Sequence, residues 1–173
     1  MPDTTPVTSA AVLAAWLDDL SIVAGTPSVR DGVVAWDVVL DGRRRRDLRV
    51  TLILDPATGL IIWAHLAPPI GDGLRKAYRT LLIWNDEYPL AKFSLADDGR
   101  PILSVELPMR WLDADELGLA LTRVVGIADQ VFDGTRPWVW IGGRMPTGYG
   151  QGESRSDVLL ARFAGRLPEL FEE

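Results

Sequence analysis

"LLIWNDEYPLAKFSLADDGRPILSVELP", residues 81–108, carries a helix, a stop and a hairpin in succession. Leu81, Leu82 and Trp84 continue a helical spacing that begins at Leu74, Ala77 and Tyr78, with Asp72 placed to cap the start. Pro89 cannot extend a helix, and it pushes Tyr88 towards extended backbone. "NDEYP" is therefore the point where helix becomes strand. Phe93 and Leu95 then alternate with Lys92 and Ser94, Asp97, Asp98 and Gly99 turn the chain, and Leu103, Val105 and Leu107 point inward on the return. The acid pairs Asp86-Glu87 and Asp97-Asp98 could in principle serve general acid and base or metal chemistry. Adjacent residues project to different sides, however, and turns select Asp for local reasons, so they read as junction residues.

Upstream, Thr8 or Ser9 can cap a first helix with Val12, Leu13, Trp16, Leu17 and Leu20 on its apolar face. Gly25, Pro27 and Gly32 end it. "VVAWDVVL", Val33–Leu40, is a β-branched run, and Asp41-Gly42 follows as a turn. Leu48, Val50, Leu52 and Leu54 alternate with Arg49, Thr51 and Ile53, "DPATG" turns, and residues 60–66 return as a third strand. Downstream, Asp113 and Glu116 make a capping-box-like start for a long helix burying Leu117, Leu121, Val124, Val125, Ala128 and Phe132, with Gly134 closing it. The last forty residues are rich in Gly and Pro. They predict an extended arm with a flexible middle and a strand at 138–141, then a short amphipathic helix before Pro168.

The expected fold class is α+β, in the order α-β-β-β-α-β-β-α, with an antiparallel sheet covered by helices on one face, plus a C-terminal arm and short helix. The expected division is a domain over 1–133 and an arm over 134–173. A length of 173 residues suits one core, and hydrophobic content of 47% with seven Trp can fill it. A net charge of −6 argues against a protein that coats nucleic acid, which needs a basic surface. The absence of cysteine excludes disulfides, thiolate nucleophiles and Cys-type zinc sites. The N-terminus lacks a basic region before its apolar stretch and predicts neither a signal nor a transit peptide. No apolar run reaches the ~20 residues that span a bilayer. A cytoplasmic bacterial-type protein with no membrane association is expected. The excess of Arg over Lys, sixteen to two, points to a GC-rich genome.

Candidate chemistry is sparse. His65 is the single histidine, and a lone imidazole in a strand offers a nucleophile no obvious partner. No catalytic residue, metal or cofactor is expected. Gly142, Gly143, Gly148, Gly150 and Gly152 invite comparison with a phosphate loop, but no Lys-Ser/Thr pair follows and no second strand completes a βαβ unit. The four consecutive residues Arg43, Arg44, Arg45 and Arg46 fall at the first hairpin's tip, where they could hold an acidic partner or form a solvated turn that discourages edge pairing. Across the sheet from the Leu/Val face, Ile53, Ile61, Trp63 and Ile102 lie among Arg49, Thr51, His65, Lys92, Ser104 and Glu106. Such a mixed face is what a protein interface looks like. The alternative is that Trp138 and Trp140 fold back to cover it. Nucleic-acid binding through the arginine tip and the aromatic arm is the rival reading.

The element order and the details Leu82, Asn85, Lys92, Phe93, Leu95, Asp98-Gly99 and Leu107-Pro108 resemble the YbjN family, whose members share the fold of type III secretion (Tir) chaperones. The resemblance covers residues 8 to 133. It implies a non-enzymatic, chaperone-like adaptor, usually a homodimer, that binds a protein or peptide client and in some relatives is linked to stress responses or secretion. It also implies a dimer contact at Tyr78, Leu82 and Trp84. The protein-binding residues expected are Arg43, Arg44, Arg45 and Arg46 at the tip and Arg49, Ile53, Ile61 and Trp63 on the sheet.

Overall fold

The computed structural model describes residues 9–71 and 73–172. Thr8 and Asp72, two of the expected caps, lie outside these residues. Helix α1, Ala10–Asp19, starts at Ser9, whose Oγ accepts the Val12 N–H, and it buries Leu13 and Leu17. The expected strands follow as β2, Val33–Leu40, β3, Leu48–Asp55, and β4, Gly59–His65. A short strand β1, Ser28–Arg30, precedes them and was not foreseen: three exposed residues carry no burial period, and only pairing with β2 makes them a strand. Helix α2, Leu74–Glu87, ends at Tyr88 ahead of Pro89, and β5, Lys92–Leu95, and β6, Pro101–Pro108, form the second hairpin.

All pairings are antiparallel, in the order β1-β2-β3-β4-β6-β5. Period-2 alternation sends Trp36, Val38 and Leu40, then Leu48, Val50, Leu52 and Leu54, then Leu60, Ile62 and Ala64 to one buried face. Helix α3, Ala114–Gln130, lies on that face. Asp113 caps it, with Oδ1 accepting the Glu116 N–H at 2.8 Å. Leu117, Leu121, Val124 and Val125 are fully buried.

The C-terminal residues differ most from expectation. Residues 138–141 form no strand, and Gly134 closes no helix. It lies inside α4, Phe132–Val139, a helix that also contains Pro137. A Cβ on Gly134 would strike the Trp84 ring, and Trp84 packs against Trp138 with centroids 5.6 Å apart. Tertiary contact thus overrides two poor helix formers. Helices α5, Asp157–Phe163, and α6, Pro168–Phe171, then cover the outer side of α3. Gly118 and Gly126 provide the room: added Cβ atoms there would meet Phe163, and Leu170 with Phe171, respectively. Phe163, Leu170 and Phe171 belong to the same buried cluster as Leu13 and Leu52.

Candidate functional site

The face of the sheet turned away from α3 is built by strand register. Cross-strand pairing sets Asp37 beside Thr51 and Thr51 beside Trp63; one step along, Val39 lies beside Arg49 and Arg49 beside His65. Ile53 and Ile61 pair directly in the neighbouring row. Trp63 is 37% exposed, Arg49 is exposed, and Ile53 and Ile61 are half-buried. The structure therefore brings the four sheet residues Arg49, Ile53, Ile61 and Trp63 together on one accessible surface. Ile102 and Ser104, expected on the same face, are buried at 1% and 2% exposure. Lys92 and Glu106 close that side with an ion pair at 2.6 Å.

A directional hydrogen-bond chain crosses the face. A guanidinium has no acceptor, so the contact of Arg100 Nη1 with His65 Nδ1 at 3.2 Å makes Nδ1 the acceptor and leaves the ring proton on Nε2. Nε2 then donates to Thr51 Oγ1 at 3.1 Å, and Thr51 donates to Asp37 Oδ1 at 2.7 Å. Asp98 holds Arg100 through Nε at 2.7 Å. Burial, and after it the Arg100 charge, hold His65 below the usual imidazole pKa, with Asp37 and Asp98 opposing. Both ring nitrogens are engaged, so this imidazole has no lone pair free to take a proton from a nucleophile.

The four arginines of the β2–β3 connection do not form a free tip: Arg43 and Arg44 are exposed, Arg45 is buried and Arg46 half-buried, and all four are tied back to the chain. The reason is a buried acid that the sequence did not single out. Asp129 of α3, 5% exposed, accepts the backbone N–H groups of Arg43, Arg44 and Arg45 at 2.7, 3.1 and 2.7 Å. Burial pushes its carboxyl up, and the three N–H groups bring it part of the way back. Gly42 is required there, because a Cβ would overlap the Asp129 carboxylate. Arg43 Nη1 donates to the Phe171 carbonyl, and Arg44 pairs with Asp133 at 2.7 Å. Arg45 is 7% exposed with Nη2 on the Leu66 carbonyl, and Tyr149 brackets the Arg46 backbone from both sides. Asp41, 2% exposed, receives the Arg155 backbone and guanidinium. The arginine run is thus a clasp between sheet, α3 and the C-terminal segment. Only its unusually dense charge was legible beforehand; nothing in the spacing linked it to Asp129 or Arg155.

Of the residues expected at a dimer contact, Tyr78 is 40% and Leu82 is 70% exposed, with Ile83 beside them at 46%. Trp84 is not on that surface. It is 9% exposed and turned into the core, tilted against Phe93 and Trp138. Among the described residues no cluster of His, Asp and Glu could hold a metal ion, and no helix is long and apolar enough to cross a membrane.

The antiparallel sheet thus has one face sealed by α3 and one accessible face on which the single imidazole is fully hydrogen-bonded. The family model described as "Putative bacterial sensory transduction regulator" matches residues 9–136, and the chain belongs to this YbjN family. No curated protein matches the chain.

Proposed function

We propose that this YbjN protein is a non-enzymatic, chaperone-like adaptor of the cytoplasm that works as a homodimer and holds a segment of a client protein on its open sheet face. The observation that carries this reading is the Ile53, Ile61 and Trp63 patch, half-open to solvent in the middle of a rigid sheet and rimmed by Arg49, Thr51 and Glu106. An apolar centre with a polar rim gives a client affinity from buried area and orientation from charge. The family's description as a regulator fits a role in recognition.

Tyr78 with Leu82 and Ile83 one turn further along α2 supply the dimer contact, an apolar stripe left exposed among the described residues. A nucleic-acid role has less support: Arg43, Arg44 and Arg45 are each tied back to the chain, through the Phe171 carbonyl, Asp133 and the Leu66 carbonyl, and the net charge is −6. The test is affinity capture with the wild-type chain and with Trp63→Ala and Ile61→Asp. Clients retained by the wild type and lost from both folded variants support the sheet face. Retention by both variants, or capture of nucleic acid that survives nuclease-sensitive controls in place of protein, would overturn it.

A further inference from the structure

One end of the open face carries a charge pattern that client binding does not account for. Here a cleft of about 1320 Å³ opens between the sheet and the segments holding Ser21 and Pro68-Pro69. Four arginines line it against two aspartates, on a chain whose net charge is −6. Arg49 and Arg100 flank His65 from opposite sides, the first as its cross-strand neighbour and the second through the 3.2 Å hydrogen bond. Arg49 has neither an ion-pair nor a hydrogen-bond partner among the described residues. Arg100 gives Nε to Asp98 and Nη1 to His65, which leaves Nη2 unassigned. Below them Arg45, 7% exposed and lining the same cleft, has no acceptor for Nε or Nη1.

Arg100 is paired with Asp98, and Arg155 with Asp41 and Asp47, so the uncompensated charge is that of Arg49 and Arg45, and a buried guanidinium with unpaired donors costs more than an exposed one. An arrangement of this kind is relieved by an anion. The geometry points to an oxyanion site at the Arg49, His65 and Arg100 end of the cleft, which takes the phosphate or paired carboxylates of a small organic dianion. Two guanidiniums match two negative charges and offer planar forks to oxygen atoms. The neutral imidazole between them adds no third positive charge to repel the two guanidiniums, and the Thr51–Asp37 link keeps its ring fixed. The volume exceeds that of a bare phosphate several-fold, so an organic remainder fits beside Val39, Pro68 and Pro69, which line the same cleft. This site shares Arg49 with the rim of the client face, but it is read in the isolated protein, and its loss would leave the Ile53, Ile61 and Trp63 patch standing.

Because His65 is the single histidine, its imidazole resonances report the site without assignment ambiguity. Inorganic phosphate, succinate, chloride at matched ionic strength and a tetraglutamate peptide are titrated into the full chain near pH 7.5, where the ring is neutral. The expected result is a saturable shift with phosphate or succinate, with a dissociation constant on the order of millimolar. Arg49→Gln and Arg100→Gln should each weaken it about tenfold, and Arg49→Lys, which keeps charge and loses the fork, should fall between. Arg49 makes no contact that folding requires, so its variants keep the rest of the amide spectrum. Equal shifts with chloride, or saturation that persists in the Arg49→Gln/Arg100→Gln double variant, would sink the proposal. Tetraglutamate binding about 100-fold tighter than both small dianions would overturn it in favour of an acidic peptide.

Discussion

The side-chain amide of Asn85 completes the backbone hydrogen bonds of Phe93: Oδ1 accepts the Phe93 N–H at 2.7 Å, and Nδ2 donates to its carbonyl at 3.0 Å. One residue at the end of α2 thereby imitates a strand. β5 is an edge of the sheet, and Asn85 occupies the groups that a further strand would need. The stretch "WNDEYP" is a helix terminus that also caps one edge of the sheet at Phe93.

Asn85→Ala removes both bonds and is expected to destabilise the fold by about 1 kcal/mol, because the site is only partly buried. Asn85→Asp should cost more, since it replaces the donor to the Phe93 carbonyl with a second acceptor. Chemical denaturation measures the first effect, and hydrogen exchange at the Phe93 amide measures the local one. Unchanged exchange at Phe93 in both variants would contradict the strand-mimic reading.

Gly118 faces the ring of Phe163, and a Cβ there would overlap it. Gly118→Ala should therefore destabilise by about 1–3 kcal/mol, and shortening the ring in a Gly118→Ala/Phe163→Leu pair should return part of that loss. Additive losses in the double variant would mean that α5 does not rest on α3. By the same packing, a chain ending after Gly134 loses Leu159, Phe163, Leu170 and Phe171 from the common core, and it is expected to aggregate on expression.

The homodimer proposed above depends on Leu82 and Tyr78. Leu82→Glu places a charge at the most exposed apolar position of α2 without touching the core, so it should yield a folded monomer by light scattering with an unchanged melting temperature at low concentration. A wild-type protein that is already monomeric at high micromolar concentration removes this part of the proposal.

Alternation in Leu48–Asp55 and 60–66 made the sheet faces legible in advance, because burial on one side writes period 2 directly into the sequence. The grouping of Arg49, Ile53, Ile61 and Trp63 followed from the same alternation. What stayed hidden depends on contacts between distant positions. Gly134 and Pro137 read as breakers, since local propensity knows nothing of Trp84 and Trp138 packed beside them. Arg43, Arg44, Arg45 and Arg46 read as a free tip because the groups that hold their backbone, Asp129 for the first three and Tyr149 for the last, are 84 or more residues away, and Asp129 sits in an apolar helix pattern. Gly42 was the one local sign, as a residue without Cβ beside a charged run.

The imidazole offers the last test. His65 accepts from Arg100 and is partly buried, so both causes favour its neutral form, and its folded pKa lies below the ordinary 6.5. In the window between that lowered value and 6.5 the unfolded chain binds more protons than the folded one. The stabilising contribution is therefore complete above pH 6.5 and is lost as pH falls through the folded pKa. An imidazole titration by NMR should show a single transition below 6.5. Arg100→Gln should move it upward without restoring the full ordinary value, because burial remains, and should flatten the acid side of the stability profile. If His65 instead titrates above 6.5 in the wild type, its Nδ1 carries a proton at neutral pH, and the hydrogen-bond direction from Arg100 through Thr51 to Asp37 is wrong.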